Sequence, residues 1–174
     1  GYAGDFTVET GSSFKTGAGQ DDLLEGVAFY SNLELASGDF HKMTDGLGNK
    51  PNDAFRTFAH DDVEDWVVTF SKLKIVELRE VRVFSWNGDH RAQQDFDLFY
   101  SLDRGKTFTQ LAKDVVASKS GACNLTSITC MVSEVTDLRF VFRNPGEGLN
   151  PKNAWHSSIL EIDAIGIPLV PLSL

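Results

Sequence analysis

Three apolar runs separated by polar turns dominate the middle of the chain. Asp65–Phe70 reads Asp-Trp-Val-Val-Thr-Phe, Val81–Trp86 reads Val-Arg-Val-Phe-Ser-Trp, and Asp95–Tyr100 reads Asp-Phe-Asp-Leu-Phe-Tyr. Each run alternates between apolar and polar positions or is rich in β-branched and aromatic residues, which is typical of half-buried strands. The short spacing between the runs predicts a β-meander, in which consecutive strands are neighbours.

Further strand-like runs fill much of the remaining chain, and no segment shows a sustained helical period. The turn Leu102–Gly105 predicts a hairpin between residues 96–101 and 106–111. Roughly eight to ten short strands without an internal repeat favour an all-β sandwich, most simply a jelly roll. The additional runs are 6–10, 27–30, 115–116, 128–132, 138–142 and 159–165.

The length of 174 residues fits one domain, and no linker rich in Pro, Gly or Ser divides residues 1–174 into two cores. Residues 1–5 and 167–174 are predicted to be extended termini, the second because two prolines follow Gly166. Residues 37–62 are rich in Gly, Asp, Asn, Lys and His, which predicts a long irregular surface loop.

The formal net charge is −9, which repels phosphate backbones and anionic lipid. The sequence contains no concentrated basic patch, and no apolar run approaches the ~18 residues that a membrane-spanning helix needs. We therefore predict neither nucleic-acid binding nor membrane insertion, and neutral ligands or cations fit the composition better.

The two cysteines, Cys123 and Cys130, lie close together in the sequence. We predict a small local disulfide that staples a hairpin or the base of a loop; the alternative is a pair of reduced, partly buried thiols. Asn124-Leu125-Thr126, between them, also matches a glycosylation sequon, a triplet that often arises by chance.

Two loops carry residue types that suit sugar recognition. Trp86–Arg91 combines an indole face with amide, carboxylate, imidazole and guanidinium groups, and residues 144–157 have the same chemistry. A sugar stacks its C–H face on an aromatic ring while its hydroxyls donate and accept hydrogen bonds. If the strand before the first loop lies antiparallel to the strand after the second, the two loops meet. The predicted ligand contacts are Trp86, Asn87, Asp89, His90, Arg91, Asn144, Asn153, Trp155 and His156.

Each of these residues also has an ordinary structural explanation. A tryptophan at this position commonly packs in the core or at its rim, and Arg91 could simply pair with Asp89 or Asp95. The functional interpretation depends on the convergence of the two loops.

Three motifs, in order along the chain, resemble the galactose-binding-like jelly roll of discoidin-type and coagulation factor type C domains and of lectin-like carbohydrate-binding modules. Met43-Thr44-Asp45-Gly46 is similar to the Thr-Asp-Gly turn of that family. Asp65–Phe70 leading to Val81-Arg82-Val83-Phe84 resembles its Trp-containing strand and the strand after it. Glu161-Ile162-Asp163-Ala164-Ile165-Gly166 is similar to its closing strand.

The resemblance implies a structural calcium ion that ties the Thr-Asp-Gly loop to the closing strand. By position, Asp45 and Glu161 would be the carboxylate ligands, with Asp53 and carbonyls of residues 46–52 as additions. Such oxygens are the ligands that Ca²⁺ prefers. The alternative is that Asp45 caps a turn and Glu161 is a solvated strand residue.

The sequence contains no Gly-x-Ser-x-Gly elbow, His-Glu-x-x-His, phosphate-binding loop or dinucleotide-binding glycine motif, so we predict that the chain is not an enzyme. The favoured function is non-catalytic glycan binding by a secreted or cell-surface module, with other modules of a larger chain as further partners. The alternatives are a protein-interaction or cell-adhesion domain of the same fold and, with less support, a glycan-active enzyme.

Overall fold

The computed structural model describes residues 4–11, 22–33, 35–37, 56–57, 65–143 and 157–169; for 35–37 and 56–57 it describes the backbone alone. These residues form strands joined by turns, with one short 3-10 helix at His90–Ala92. The strands are β1 (Asp5–Gly11), β2 (Phe29–Ser31), β3 (Leu35–Ser37), β4 (Arg56–Thr57), β5 (Trp66–Phe70), β6 (Ile75–Trp86), β7 (Gln94–Ser101), β8 (Thr109–Ala117), β9 (Cys123–Ser133), β10 (Asp137–Phe142) and β11 (Ile159–Pro168).

Two antiparallel sheets contain nearly all of these strands. The first has four strands in the order β1-β9-β6-β11, and the second has five in the order β2-β5-β10-β7-β8. A separate pair joins β3 to β4. The predicted all-β sandwich is therefore confirmed.

The core lies between the two sheets, where every second residue of the central strands is buried. In β7 and β10 an alternating set of buried positions is aromatic or aliphatic, because a strand presents alternate side chains to opposite faces; it consists of Phe96, Leu98, Tyr100, Leu138, Phe140 and Phe142. Phe96 packs against Phe140 and Phe142, and Trp66 packs against Phe142 with ring centroids 5.1 Å apart. Tilted contacts of this kind are favourable geometries for aromatic pairs.

The predicted β-meander is wrong. The strands β5 and β7 lie in the five-stranded sheet, where they flank β10, whereas β6 lies in the four-stranded sheet. The chain thus crosses between sheets at both connections. Alternation identifies which face of a strand is buried but carries no information about its partner strand.

The predicted hairpin between residues 96–101 and 106–111 is confirmed as the pairing of β7 with β8. Its turn is held by Asp103, whose carboxylate accepts hydrogen bonds from the backbone N–H and the hydroxyl of Thr107 at 2.9 and 2.6 Å. These hydrogen bonds, of which the one from the hydroxyl has the largest effect, lower the pKa of Asp103 to about 2.

The predicted extended exit at residue 167 begins too early. Strand β11 runs to Pro168, and Ile167 and Pro168 are still in register with Glu77 and Ile75 of β6. A proline is tolerated at this position because it lies at the end of an edge strand, where its missing N–H costs little. Of residues 1–5, which were predicted to be an extended terminus, Asp5 is the first residue of β1, and residues 1–3 lie outside the described residues.

The predicted disulfide between Cys123 and Cys130 is also wrong. Neither cysteine is disulfide-bonded, and both lie on the single strand β9. Seven residues of extended chain separate them by roughly 23 Å at ~3.3 Å per residue, whereas a disulfide needs Cα atoms within about 7 Å. Burial raises the pKa of both thiols, that of Cys130 to about 11.

Candidate functional site

The connections β6–β7 and β8–β9 lie at one end of the sandwich, together with Arg143, Ser157 and Ser158, the described ends of the β10–β11 connection. The backbone N–H of Trp86 donates to the carbonyl of Ser158 (3.2 Å), and the N–H of Ser158 donates to the carbonyl of Arg91 (2.8 Å). The N–H of Gly121 donates to the carbonyl of Asp89 (3.2 Å). The first predicted loop therefore contacts the end of the second, because β6 and β11 are antiparallel neighbours.

An ion pair between Asp89 and Arg91 forms the centre of the first loop. The Arg91 guanidinium donates through Nη2 to Oδ2 of Asp89 (2.7 Å) and through Nε to Oδ1 (3.0 Å), and the Arg91 N–H also donates to Oδ1 (3.0 Å). Hydrogen bonding from the Arg91 side chain lowers the pKa of Asp89. The carboxylate is 43% exposed and the guanidinium 23% exposed. The pair is rigid yet reachable from solvent, which suits polar ligand recognition.

The prediction that Asn87 contacts the ligand is wrong, because the side chain is buried. Only 5% of the residue is exposed, and its amide donates to the hydroxyl of Ser158 at 3.1 Å. A buried amide that is already hydrogen-bonded cannot also reach a ligand in the solvent. Asn87 therefore positions the second loop against the first.

Trp86 and His90, two further predicted ligand contacts, are both half-buried. Trp86 is the last residue of β6, and it packs against a small apolar cluster formed by Phe84 and Leu160, with Leu125 as a further neighbour. This is the packing role that the sequence left open, and the residue as a whole is half-buried. His90 begins the 3-10 helix, and its Nε2 is buried without a hydrogen-bond partner among the described residues.

A buried polar network supports the 3-10 helix from below. Gln94 donates through Nε2 to the carbonyl of Val83, the hydroxyl of Ser85 and the carbonyl of Asn124, and it accepts from the hydroxyl of Thr126. Ser85 in turn donates to the carbonyl of Ala92, the last residue of that helix. Satisfied buried networks of this kind rigidify the structure around them.

Asn124 belongs to the same network. Its Nδ2 donates to the carbonyls of Ala92 (2.7 Å) and Lys119 (2.9 Å), and its Oδ1 accepts from the hydroxyl of Thr10 (2.8 Å). The side chain has no solvent exposure, so the sequon at this residue is not a glycosylation site in the folded chain. Sequence inspection missed this network because polar residues on a strand normally indicate its solvent face.

Arg143 anchors the start of the second loop. Its guanidinium contacts the carboxylates of Asp95 (2.8 Å), Asp97 (3.0 Å) and Asp114 (3.3 Å), and its N–H donates to the carbonyl of Asp95 (2.8 Å). The pKa of Arg143 is raised, chiefly by hydrogen bonding to Asp97. Asp95 thus pairs with Arg143, and Asp89 is the partner of Arg91.

A second polar cluster lies on β11 and on the segment beside it. Asp22, Glu161 and Asp163 are all buried, and one carboxylate oxygen from each lies within 4.8 Å of the others. Oδ1 of Asp22 accepts hydrogen bonds from the backbone N–H groups of Leu24 and Ala164, both at 3.0 Å. This contact attaches the segment to the outer edge of β11.

The remaining oxygen of Asp22 is uncompensated. Oδ2 has no hydrogen-bond donor among the described residues, and a proton shared with Asp163 or a bound cation would offset its charge. Burial, together with the charge of Asp163, raises the pKa of Asp22 to about 8. The guanidinium of Arg82 is hydrogen-bonded to Glu80, which raises the pKa of Arg82, and the nearby charge of Asp163 raises it further. Such a site fits a hard cation with oxygen ligands.

No protein-family model and no curated protein matches the chain. Solved structures do match it over most of its length. The chain is 17% identical to CpGH89CBM32-6 produced by Clostridium perfringens, with a TM-score of 0.57, covering 84% of this chain and 99% of that one. It is 11% identical to a mutant of the lectin binding domain of Lectinolysin complexed with Lewis b, with a TM-score of 0.59, covering 85% and 97%.

A third match is the F5/8 type C domain of a protein from Bacteroides fragilis, at 11% identity and a TM-score of 0.52, covering 82% of this chain and 93% of that one. The fold is a galactose-binding-like jelly roll. At these identities the likeness concerns the fold, and it confirms the fold that the three sequence motifs implied.

Within this jelly roll, the predicted ligand and metal residues are only partly described. Glu161 is buried within the three-carboxylate cluster, so the alternative of a solvated strand residue is wrong. Asp22 and Asp163 were not predicted as metal ligands. Asp163 could have been, because it lies two residues after Glu161 in the closing-strand motif and therefore on the same face of the strand. Asn144, Asn153, Trp155 and His156, together with Asp45 and Asp53, lie outside the described residues.

Where the structure describes the chain, no helix has the length and hydropathy required to span a membrane.

Proposed function

We propose that this chain is a non-catalytic carbohydrate-binding module of a secreted or cell-surface protein. The observation that carries the proposal is the convergence of the Asp89–Arg91 loop with both ends of the second loop at one end of the sandwich. The ends are fixed there by the backbone contacts of Arg143 to Asp95 and of Ser158 to Arg91, each 2.8 Å long. Rigid frameworks with polar loops at one end are a common arrangement for ligand recognition.

The chemistry of this end supports a glycan as the ligand. The Asp89–Arg91 pair offers an acceptor and several donors in a fixed geometry, and Trp86 adds a half-buried aromatic residue beside them. Sugars need this combination of hydrogen bonds and apolar contact. A structural neighbour, the lectin binding domain of Lectinolysin, was solved in complex with Lewis b, which supports the same class of ligand.

A glycan array tests the proposal directly. The wild-type chain should bind at least one glycan class, with modest affinity because the ligand exchanges water hydrogen bonds for protein ones. Arg91→Ala should reduce the signal by about tenfold or more.

Arg79→Ala is the matched control, because Arg79 also pairs with a carboxylate two residues earlier, Glu77, at 2.9 Å. It should leave binding unchanged. If a folded wild-type chain binds no glycan, or if both variants bind equally, the proposal is wrong.

We also propose that a calcium ion occupies the cluster of Asp22, Glu161 and Asp163. The support is the concentration of three buried carboxylates and the uncompensated Oδ2 of Asp22. Asp45 and Asp53 remain predicted ligands of the same ion. Its role would be structural, since it would join β11 to the segment beside it and stabilise the folded state by mass action.

A further inference from the structure

A cavity of about 590 Å³ lies at the end of the sandwich opposite the candidate glycan site. It is formed where the connections β5–β6, β7–β8 and β9–β10 meet the residue after β11. Its size is within the ordinary range for small-molecule sites, ~300–1,000 Å³. Nothing in the proposed glycan site uses this cavity.

Three cations surround the cavity: Lys72, Lys74 and Arg104. None of them forms an ion pair with a described residue. The chain as a whole has 16 basic and 25 acidic residues, so a group of three cations beside one carboxylate, Asp137, runs against its average charge. The lining charges sum to +2, which favours an anionic group in the cavity.

The backbone fixes two of the cations in position. Lys72 and Arg104 both have left-handed backbone conformations, with φ of 60° and 61°, which a tight turn imposes on non-glycine residues. The N–H of Arg104 donates to the hydroxyl of Thr136 (2.9 Å), and the carbonyl of Thr136 accepts from the N–H of Leu73 (3.0 Å). Thr136 therefore links the β5–β6 and β7–β8 connections.

Among the other lining residues, Leu73 and Leu169 are apolar, whereas Ser71, Thr136 and Asp137 carry hydroxyl or carboxylate groups. Leu73 is 6% exposed, whereas Leu169 is 57% exposed and is held by a hydrogen bond from its N–H to the carbonyl of Lys74 (2.9 Å). Asp137 is buried, and one of its oxygens accepts from the hydroxyl of Thr136 (2.8 Å). The cavity thus combines cations, an apolar wall and a hydrogen-bond acceptor.

We propose that this cavity binds a small acidic sugar, a monosaccharide or disaccharide with one carboxylate. The carboxylate would contact Lys74 and Arg104, the hydroxyls would exchange hydrogen bonds with the exposed hydroxyl of Ser71, and the C–H face would contact Leu73 and Leu169. A fatty acid would offer no hydroxyls to Ser71, and its chain is longer than the apolar contact that Leu73 and Leu169 provide. A long polyanion would be repelled by the net charge of −9.

Titration with methyl glucuronide, followed by amide chemical shifts, tests the proposal. Methyl glucoside serves as the neutral probe of the same shape. The glucuronide should shift amides at Leu73, Arg104 and Thr136 with millimolar affinity, and higher salt should weaken it because exposed charge pairs are screened. The glucoside should bind at least fivefold more weakly.

The double variant Lys74→Gln with Arg104→Gln should weaken glucuronide binding about five- to tenfold. Lys113→Gln is the control, because it removes a charge from an exposed position on β8 outside the cavity. It should bind like the wild type, and so should Arg91→Ala, which affects the opposite end. The spectra of the double variant and of Lys113→Gln report whether each protein is folded.

Three results would overturn the proposal. They are the absence of shifts at millimolar glucuronide, equal binding of the neutral glucoside, and shifts confined to the Asp89–Arg91 loop. The last result would place the acidic sugar in the proposed glycan site, so that failure of this cavity is distinguishable from failure of the proposed function.

Discussion

At the scale of single residues, Asp22 makes the most unusual interaction of the described chain. One oxygen accepts two backbone hydrogen bonds, and the other is buried beside two further carboxylates without a donor. An uncompensated buried charge is strongly destabilising, whereas a charge that binds a metal ion contributes to folding. The effect of this residue on stability should therefore depend on calcium.

The effect of Asp22→Asn on the free energy of unfolding should have opposite signs with and without calcium. In a chelator, the variant should be more stable than the wild type by about 1–3 kcal/mol, because its amide is neutral without the proton that burial forces onto Asp22, yet it keeps the oxygen that accepts from Leu24 and Ala164. In millimolar calcium the wild type should be the more stable of the two. Thermal unfolding of both proteins under both conditions measures this difference.

Asp5→Asn is the control for this experiment, because Asp5 is exposed on β1. It should change the melting temperature little under either condition. Equal responses of the wild type and Asp22→Asn to calcium would contradict a metal ion at this cluster.

The sequence predicted Asp89 and Arg91 as neighbours in a loop, because the pattern of flanking strands defined the loop and its polar types were visible. It mispredicted Asn87 as a ligand contact and missed the Gln94 network altogether. Burial of a polar side chain depends on which loop packs over it, and that information is long-range. Asp163 was visible in the closing-strand motif, but its nearness to Asp22 depends on a contact across 141 positions of sequence.

At the scale of elements, Gly166 shows why the closing-strand motif ends in glycine, two residues before β11 itself ends. A Cβ at this residue would lie 2.0 Å from the carbonyl oxygen of Glu77 and 3.1 Å from the Cα of Leu78, at a point where the β6–β11 register shifts. Both obstacles are backbone atoms, so they cannot move aside as a flexible side chain could. The motif glycine is required by close approach of two strands.

Gly166→Ala should destabilise the fold by about 2–4 kcal/mol, since the edge strand must move away from β6. Gly88→Ala is the matched control, because nothing lies within 4 Å of its added methyl group. Urea unfolding of the two variants compares them, and a Gly166→Ala stability within 0.5 kcal/mol of the wild type (roughly the size of a neutral surface change) would contradict the register described for β11.

The two cysteines on β9 make a second prediction at this scale. Because they are separated along one strand, reductant should leave the melting temperature of the chain unchanged. Alkylation in denaturant without reductant should modify both thiols, as measured by intact mass. Modification that requires prior reduction would show that the two sulfur atoms are bonded.

Strand positions were predictable from alternation, and most of the predicted runs lie within observed strands. Strand partners were not predictable in this way. The meander failed because β5, β6 and β7 have similar patterns although they belong to two sheets, and either arrangement buries the same side chains. The three family-like motifs succeeded because they carry order along the chain, which alternation alone does not.

At the scale of the whole molecule, the pH dependence of stability follows from the buried carboxylates. In a chelator, Asp22 holds its proton in the folded state up to a pH of about 8, whereas in the unfolded state it loses the proton above about 3.8. The folded state binds more protons between these values, so stability should fall as the pH rises through this window. Asp103, whose pKa is lowered to about 2, acts in the opposite direction and only below about pH 4.

Calcium should offset this loss, because it binds the deprotonated carboxylates. The rise in melting temperature on adding calcium should therefore grow from pH 5 to pH 8 and should be smaller for Asp22→Asn. A calcium effect that does not vary with pH would contradict the coupling.

The two ends of the sandwich divide its proposed roles. One end carries the paired loops and the rigid network beneath them, and the other carries the cationic cavity. Tethering to other modules would raise the effective affinity of either site without new contacts. We expect the loop end to be the one that binds glycan.

The most direct test of that claim maps the binding site of the best array ligand by amide chemical shifts. We predict shifts at Asp89, His90, Arg91 and Ser158, with none at Leu73 or Thr136, and loss of these shifts in Arg91→Ala but not in Arg79→Ala. A glycan that binds with shifts elsewhere, or one that binds Arg91→Ala as tightly as the wild type, would contradict it.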